Sequence, residues 1–262
     1  MGVVNITPDS FFDGGRDARL CIEHAHNLIA QGADIVDIGA ESSRPGAAAV
    51  PVEDEIRRLM PVMRALRDAP IPVSIDTVKS EVMRVMIGEG AAFINDINAL
   101  RSDNALKVVA DSDAGVCLMH MRGAPATMQI TPSYNDVVAE VEEFLAQRVS
   151  AAEAAGISRE RICVDPGFGF GKTVEHNMCL LRDLKNFASM GLPVLFGASR
   201  KSTLGTLTGR AVGERVHASV AAALLAAERG AAILRVHDVA PTRDALAVWL
   251  GMRGESMKPI QL

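Results

Sequence analysis

Eight short apolar runs recur along the chain, and each of them stops at a polar residue or a glycine. Short runs rich in Val and Ile are typical of strands buried on both faces of a parallel sheet. Amphipathic helical patterns fill the intervals, so strand and helix alternate eight times. Eight such units in about 250 residues predict an α/β fold, a single-domain (β/α)8 TIM barrel with its site at the C-terminal ends of the strands. The runs stop at Asn5, Gly39, Asp76, Asn95, His120, Asp165, Gly197 and Arg235.

The alternation continues without a linker, so we predict one domain over residues 1–252. An open doubly wound sheet would need a glycine fingerprint directly after its first strand. Here the first strand leads instead into a long loop, residues 7–15. Residues 253–262 lack periodicity and are predicted to form a disordered tail. The helical patterns cover residues 17–31, 52–67, 79–87, 104–110, 135–155, 174–190, 215–229 and 241–250.

The 262 residues carry a net charge of −5 and four cysteines, none of them in a C-x-x-C pair. This acidity argues against nucleic acid as a partner, because phosphate backbones need a basic surface. No apolar stretch approaches the roughly 20 residues of a membrane span, and no leader-like segment opens the sequence. We therefore expect a cytoplasmic protein with reduced cysteines that binds neither nucleic acid nor membrane.

Three polar side chains stand at the ends of the third, fourth and sixth runs: Asp76, Asn95 and Asp165. Carboxylates inside a barrel mouth need hydrogen-bond partners, because an unpaired buried charge is costly. A flat heterocycle with an amino-oxo edge would supply N–H donors to the carboxylates and a mixed edge to the carboxamide. The alternative is that the two aspartates bind nearby backbone N–H groups or Lys201.

The segment from Asp165 to Thr173 resembles a phosphate-binding loop at first sight. That motif requires a glycine where Pro166 stands, so the phosphate-loop interpretation fails. We predict a strand-to-helix turn whose glycines let the backbone approach a flat ligand, with Phe170 near its edge. The alternative is that the glycines only shape the turn.

Cations gather after the last two runs of an otherwise acidic chain. Arg235 and His237 alternate along the eighth run, so both side chains can face the mouth. Barrel enzymes commonly bind phosphate at this position. With Arg44 from the second loop, these residues predict a site for an oxyanion-rich leaving group.

These motifs together resemble the dihydropteroate synthases, and the resemblance covers nearly the whole chain. Members of that family join 6-hydroxymethyl-7,8-dihydropterin diphosphate to p-aminobenzoate and release pyrophosphate. The resemblance implies a homodimer that sulfonamides inhibit by mimicking p-aminobenzoate. The matching segments are residues 2–15, 37–46, 74–77, 94–97, 118–123, 165–172, 197–202 and 235–239.

Carried over position by position, the resemblance also implies roles for individual residues. The pterin would be bound by Asp76, Asn95, Asp165, Met119, Phe170, Gly197, Lys201 and Arg235. The p-aminobenzoate pocket would be framed by Phe11, Ser43, Pro45, Arg200 and Ser202. The diphosphate would be held by Arg44, Arg235 and His237, beside a Mg²⁺ ion ligated by Asn5. The catalytic set would be Lys201, Arg235, Arg44, His237 and Asp13, with Asp13 helping to close the site.

A dissociative, SN1-like substitution assisted by Mg²⁺ is the mechanism we expect. The electron-rich pterin can spread the charge of the methylene cation, so catalysis rests on stabilising the departing diphosphate. An aniline nitrogen is neutral at pH 7 and needs no strong base. One departure from the family is Ser43, where threonine is usual; the lost methyl would loosen the loop or the aryl pocket.

Three other functions remain open from the residues alone. A pterin-binding methyltransferase that serves a corrinoid would share the carboxylates but would not need Arg44, Lys201 and Arg235 for a diphosphate. A Schiff-base aldolase could use Lys201 as its nucleophile. A homologue without activity could bind pterin and release nothing.

Overall fold

The computed structural model describes residues 1–6, 16–43, 47–123, 125 and 127–256. All eight apolar runs form strands within this part of the chain. The strands are β1 (Gly2–Asn5), β2 (Val36–Gly39), β3 (Val73–Asp76), β4 (Phe93–Asp96), β5 (Gly115–Met119), β6 (Ile162–Asp165), β7 (Leu195–Phe196) and β8 (Ile233–Leu234).

The strands are parallel and neighbour one another in chain order. Strands β1 to β6 form one ladder, and β7 pairs with β8. Two single parallel bridges join these groups: Val164 with Val194, and Gly2 with Val236. The Val164 N–H donates to the Pro193 carbonyl at 3.0 Å, and the Val3 N–H to the Val236 carbonyl at 3.1 Å. The circuit from β1 to β8 and back confirms the predicted barrel.

Helices follow the strands, as the alternation predicts. Most of their bounds lie within two residues of the patterns in the sequence. The α-helices are α1 (Arg16–Ala30), α2 (Val52–Ala65), α3 (Ser80–Gly88), α4 (Ala105–Ala110), α5 (Val137–Ala154), α6 (Val174–Arg182), α7 (Leu184–Ala188), α8 (Ser202–Thr208), α9 (Val216–Glu228) and α10 (Val239–Met252). None of the helices in the described residues has the length and apolarity that a bilayer crossing requires.

Two local features differ from the sequence pattern. The prediction of one helix over residues 174–190 is wrong, because α6 ends at Arg182 and α7 begins at Leu184. The backbone of Asp183, with φ −101° and ψ 21°, breaks the helix. Leu181 and Leu184 are both buried across this break, so the apolar period continues and conceals it. Helix α8 was not predicted either, because its Ser and Thr residues give no amphipathic period.

Strand register brings the polar strand ends into one row. Asn5 pairs with Gly39, Gly39 with Asp76, and Asp76 with Asn95. Further round the barrel, Met119 pairs with Asp165. A Cβ added to Gly39 would lie 3.3 Å from the Asp76 Cβ, so the glycine leaves room for this carboxylate. The row therefore places the predicted site residues of β1, β3, β4 and β6 at one mouth of the barrel.

Candidate active site

The mouth is centred on Arg235, which follows β8 directly. Its Nε lies 2.6 Å from Asp37 Oδ2, and one terminal nitrogen lies 2.8 Å from Asp76 Oδ2. Burial disfavours the charge of Arg235, but Asp37 and Asp76 outweigh this and raise its pKa. Arg235 is therefore a fixed cation held by two carboxylates that come from neighbouring strands.

Asp37 is a central residue that sequence reasoning did not select. It lies inside β2, is fully buried, and accepts a hydrogen bond from Ser74 Oγ at 2.5 Å. Its second oxygen accepts from Asn95 Nδ2 at 3.1 Å as well as from Arg235. The available signal was its place inside an apolar strand, because a buried acid requires charged or N–H partners.

Asp165 and Lys201 lie at the same mouth, around the turn that follows β6. Asp165 Oδ1 accepts the Gly167 N–H at 2.7 Å, which is the backbone partner considered as the alternative. Lys201 Nζ donates to the Phe168 carbonyl at 2.5 Å and lies 4.5 Å from the Phe170 ring centroid. The structure therefore joins an acid, a cation and an aromatic ring, as the sequence predicts.

Two groups in this mouth titrate near neutral pH. Burial raises the pKa of Asp76 to about 7, with Arg235 opposing the shift and Asp37 adding to it. Burial also lowers the pKa of Lys201 to about 8, against the attraction of Asp165. Burial likewise raises the pKa of Asp165, with Lys201 opposing. The protonation of this mouth is therefore sensitive to any ligand that brings N–H groups or charge.

His237 and Arg200 lie at the cationic edge, but neither offers a free positive charge. The His237 Nδ1 lies 3.0 Å from Ser199 Oγ. Burial, followed by the charges of Arg235 and Arg200, lowers the pKa of His237 to about 4. Arg200 makes a two-point ion pair with Asp238, at 3.0 Å and 2.5 Å. His237 is therefore neutral at pH 7, and the Arg200 guanidinium already has a carboxylate partner.

The remaining described site residues surround this centre. Asn5 is exposed at the end of β1, and Ser202 is exposed at the start of α8. Met119 is buried in an apolar cluster that Phe170 joins. A Cβ on Gly197 would lie 3.5 Å from the Arg235 Cβ, which is ordinary contact. The predicted residues Phe11, Asp13, Arg44 and Pro45 lie outside the described residues.

A cavity of about 290 Å³ opens beside Asp76. Ligand pockets usually measure about 300–1,000 Å³, so this one suits a small flat molecule. Val78, Ile97 and Met121 give it an apolar wall, whereas Ser43 lies on its polar side. The other lining residues are Glu41, Ser42, Glu55, Asp76, Thr77, Lys79, Asn98, Gly123 and Pro125.

An ion-pair cluster on the cavity wall ties the second loop to β3. Lys79 Nζ contacts both Glu41 and the fully buried Glu55. Glu55 also accepts from Thr77 Oγ1 at 2.6 Å, and Glu41 accepts the Val50 N–H at 3.2 Å. Glu41, at the start of the loop after β2, and Glu55, in α2 beyond its end, are thereby both joined to Lys79. Glu55 is also joined to Thr77, the residue that follows Asp76.

Comparison with known proteins gives one consistent family. The chain matches the family model described as pterin binding enzyme over residues 1–237. It is 50% identical over 258 residues to the dihydropteroate synthase of Neisseria meningitidis serogroup B. That alignment covers 95% of this chain and 90% of the relative.

Solved structures give the same result. The dihydropteroate synthase of Xanthomonas albilineans in complex with 7,8-dihydropteroate is 47% identical, with a TM-score of 0.87. The alignment covers 97% of this chain and 92% of the Xanthomonas albilineans chain. The Yersinia pestis dihydropteroate synthase in a sulfonamide drug complex is 42% identical, with a TM-score of 0.93 and coverages of 97% and 94%. The likeness therefore extends over nearly the whole length of the chains compared.

The cluster around Lys79 predicts a specific loss of stability. Lys79→Met leaves Glu55 buried beside Thr77 without its cation, so the free energy of unfolding should fall by about 3 kcal/mol. Urea denaturation would measure this. Removing the buried charge as well, in the double variant Lys79→Met/Glu55→Gln, should restore part of the loss.

The matched control is Lys107→Met on α4, because Lys107 forms an exposed ion pair with Asp111. Exposed pairs contribute about 0–1 kcal/mol, so this variant should unfold nearly like the parent protein. Equal urea midpoints for Lys79→Met and Lys107→Met would contradict a structural role for the cluster.

Proposed function

Because the chain belongs to the dihydropteroate synthases, a family of pterin-binding enzymes, we propose that it joins 6-hydroxymethyl-7,8-dihydropterin diphosphate to p-aminobenzoate in folate biosynthesis. Pyrophosphate is the second product, and the reaction transfers a dihydropterin-methyl group. One observation carries the proposal: acids that can bind a heterocycle and the cation that can hold its leaving group share a single barrel mouth. Arg235 lies there between Asp37 and Asp76.

The acids match the hydrogen-bonding edge of a dihydropterin. An amino-pyrimidinone presents a row of N–H donors, and Asp76 and Asp165 present carboxylate acceptors. Asn95 uses one amide N–H on Asp37, so its carbonyl oxygen and its second N–H are what it can offer to a ligand. Lys201 would donate to an acceptor of the ring, near the Phe170 side chain that lies beside it. Met119 and Gly197 would complete the slot.

The chemistry follows from charge placed beside the departing group. When the methylene–oxygen bond breaks, the dihydropterin spreads the positive charge, and the diphosphate gains negative charge. Arg235 would stabilise this oxyanion together with Arg44, while neutral His237 would contribute a hydrogen bond. No base is needed before the attack, because the aniline nitrogen attacks in its neutral form; the acidic proton of the anilinium that results then passes to water or to the released pyrophosphate. The substitution is therefore dissociative, with Asp13 and the first loop helping to exclude water.

The exposed carboxamide of Asn5 fits a Mg²⁺ ion at the edge of the mouth. Mg²⁺ prefers oxygen ligands and keeps several waters, so one protein oxygen next to a diphosphate is a suitable donor set. Asn5 would hold the ion, and Mg²⁺ when bound supplies positive charge to the leaving diphosphate. Among the described residues no cluster of three His, Cys, Asp or Glu forms a closed metal cage.

The carboxylate of p-aminobenzoate needs a cation or N–H donors of its own. Arg200 is such a cation. It would release the carboxylate of Asp238 and bind the carboxylate of p-aminobenzoate instead. We assign Ser43, Ser202, Phe11 and Pro45 to the same aryl pocket. Sulfonamides would inhibit by occupying this pocket, as the sulfonamide complex of the Yersinia pestis relative suggests. The cytoplasmic location stays a prediction, supported by free buried thiols such as Cys117 and Cys163.

The other functions fit the geometry less well. Lys201 could serve a Schiff base, but its Nζ donates to the Phe168 carbonyl, and borohydride trapping with an aldehyde would reveal that chemistry. A corrinoid-dependent methyl transfer has no use for Arg235 as a diphosphate cation. Pterin binding without pyrophosphate release would identify a homologue that lacks activity.

We also propose a homodimer formed through the C-terminal helices. The exposed large hydrophobic side chains of the described residues are Ile130, Leu207, Val212, Leu225, Val248 and Met252. All but the first lie between α8 and the end of α10. Concentrated exposed apolar side chains mark interaction sites. A second copy of the chain is the partner that the family resemblance implies.

Pyrophosphate release tests the activity and the role of Arg235. The parent enzyme should release pyrophosphate only when dihydropterin diphosphate, p-aminobenzoate and Mg²⁺ are all present. Arg235→Met should lower turnover by about a thousandfold, because it removes the main oxyanion stabiliser. Arg57→Met, which alters an exposed ion pair on α2, is the matched control and should leave turnover unchanged.

Unchanged turnover in Arg235→Met would overturn this role.

The same assay distinguishes a dissociative from an associative displacement of the diphosphate, when ring-substituted 4-aminobenzoates of differing basicity are used as nucleophiles. A dissociative path predicts nearly constant turnover across that series, whereas a steep rise with basicity would contradict it.

The pKa of Asp76 predicts a pH dependence. The carboxylate must be ionised to accept pterin N–H groups, and burial places its pKa at about 7. The pterin kcat/KM should therefore rise with pH through about 7, since this parameter reports the free enzyme. The Asp76→Asn variant should not show this fall in kcat/KM at low pH, the acid limb of the profile. An identical limb in the parent and in Asp76→Asn would show that another group controls it.

The dimer is tested by sedimentation velocity. The Leu225→Glu/Val248→Glu variant should sediment as a monomer, because charge replaces apolar surface at the proposed contact. Ile130→Glu is the control, since Ile130 is equally exposed, 73% against 76% for Val248, but lies elsewhere. A parent protein that sediments as a monomer at all concentrations would rule the dimer out.

A further inference from the structure

Lys172 ends the turn after β6 and points into the protein rather than toward solvent. The residue is 3% exposed. Its Nζ donates to the Gly167 carbonyl at 2.9 Å and to the Phe170 carbonyl at 3.0 Å, and it lies 2.9 Å from His120 Nδ1. The lysine that made this segment resemble a phosphate loop therefore binds the turn's own backbone.

The turn that Lys172 binds carries several of the groups proposed to hold the pterin. The Gly167 N–H orients Asp165, and the Phe168 carbonyl accepts from Lys201. Gly167 has φ +70°, and a Cβ there would lie 1.8 Å from the His120 carbonyl oxygen. The turn is thus packed closely against His120, which follows β5, and the buried Lys172 holds it from the protein interior.

The partners of Lys172 suit a protonated amine. The Gly167 and Phe170 carbonyls can only accept, and His120 Nδ1 accepts when the ring proton is on Nε2, so three N–H donors can then be used. Burial, followed by the charge of Lys172, lowers the pKa of His120 to about 2, so this ring stays neutral and Nδ1 can accept. Burial opposes the charge on Lys172 and lowers its pKa, while the attraction of Asp165 acts in the other direction.

We propose that Lys172 is a positioning residue for the pterin substrate: it holds the turn from Asp165 to Phe170 in its binding conformation. The inference rests on the proposed function. It assigns Lys172 no contact with either substrate. Its removal should therefore affect the pterin selectively, because p-aminobenzoate is assigned to Ser43, Arg200 and Ser202, outside this turn.

The test compares Lys172→Met with the parent enzyme in the pyrophosphate assay. Loss of a buried charged hydrogen-bond partner should raise the KM for dihydropterin diphosphate by about tenfold. The KM for p-aminobenzoate should change less than twofold. Lys107→Met, on exposed helix surface, serves as the control and should change neither.

A pH profile distinguishes positioning from a general loss of structure. Besides Lys172, the groups that act on Asp165 are Lys201, Arg235 and the Gly167 N–H, and the Cys117 thiol is also near. Lys172 lowers the pKa of Asp165, which must also be ionised to accept pterin N–H groups. Its removal should therefore add a second ionisation to the acid limb that Asp76 sets, and the limb should move to higher pH. A merely destabilised protein would show a lower melting temperature with an unmoved limb.

A second variant keeps the test decisive if Lys172→Met does not fold. His120→Phe keeps an aromatic ring beside Phe144 and removes both ring nitrogens, including the Nδ1 that Lys172 contacts. It should raise the pterin KM selectively, by less than Lys172→Met. Equal rises in both KM values, or no rise in either, would overturn the inference while the parent remains active. An inactive parent would instead overturn the proposed function.

Discussion

The geometry of the barrel mouth depends on how the partly buried charge of Arg235 is neutralised. A buried guanidinium without carboxylates would be costly, and Asp37 and Asp76 provide them from two neighbouring strands. Asp37 in turn needs Ser74 and Asn95, so one arginine commits β2, β3, β4 and β8 to a common geometry. Replacement of such a cluster by apolar side chains is often neutral or stabilising. Its value therefore lies in placing Asn95 and Asp76, not in the stability of the barrel.

This arrangement would couple the two halves of the proposed reaction. Asp76 is a partner of Arg235 and the proposed acceptor for pterin N–H groups. If a pterin took up Asp76, the guanidinium would lose part of its neutralising charge and become a better partner for a diphosphate. The heterocycle and the leaving group would then be recognised through one shared ion pair.

The sequence allowed prediction of the features that depend on periodicity and strand ends. Alternation predicted the barrel, and the residue after each apolar run predicted Asp76, Asn95, Asp165 and Arg235 at one mouth. It could not show partners distant in sequence, because Arg235 and Asp37 are 198 positions apart. For the same reason the pairing of Arg200 with Asp238 was missed. The break at Asp183 stayed hidden, since burial continues across it.

The acidic and the cationic residues of the mouth are carried by strands of different length. The β1–β6 ladder carries the acids, in strands of four or five residues held by continuous backbone pairing. The cations follow β7 and β8, which have two residues each and join the ladder by single bridges. Side-chain contacts add to the sparse backbone pairing there: Arg235 is bound by Asp37, Arg200 by Asp238, and Lys201 by the Phe168 carbonyl. The proposed acceptors for the heterocycle are therefore fixed by the sheet. The cations beside them are instead held by ion pairs and a hydrogen bond that substrates could exchange, which suits a reaction in which the diphosphate gains negative charge as the bond breaks.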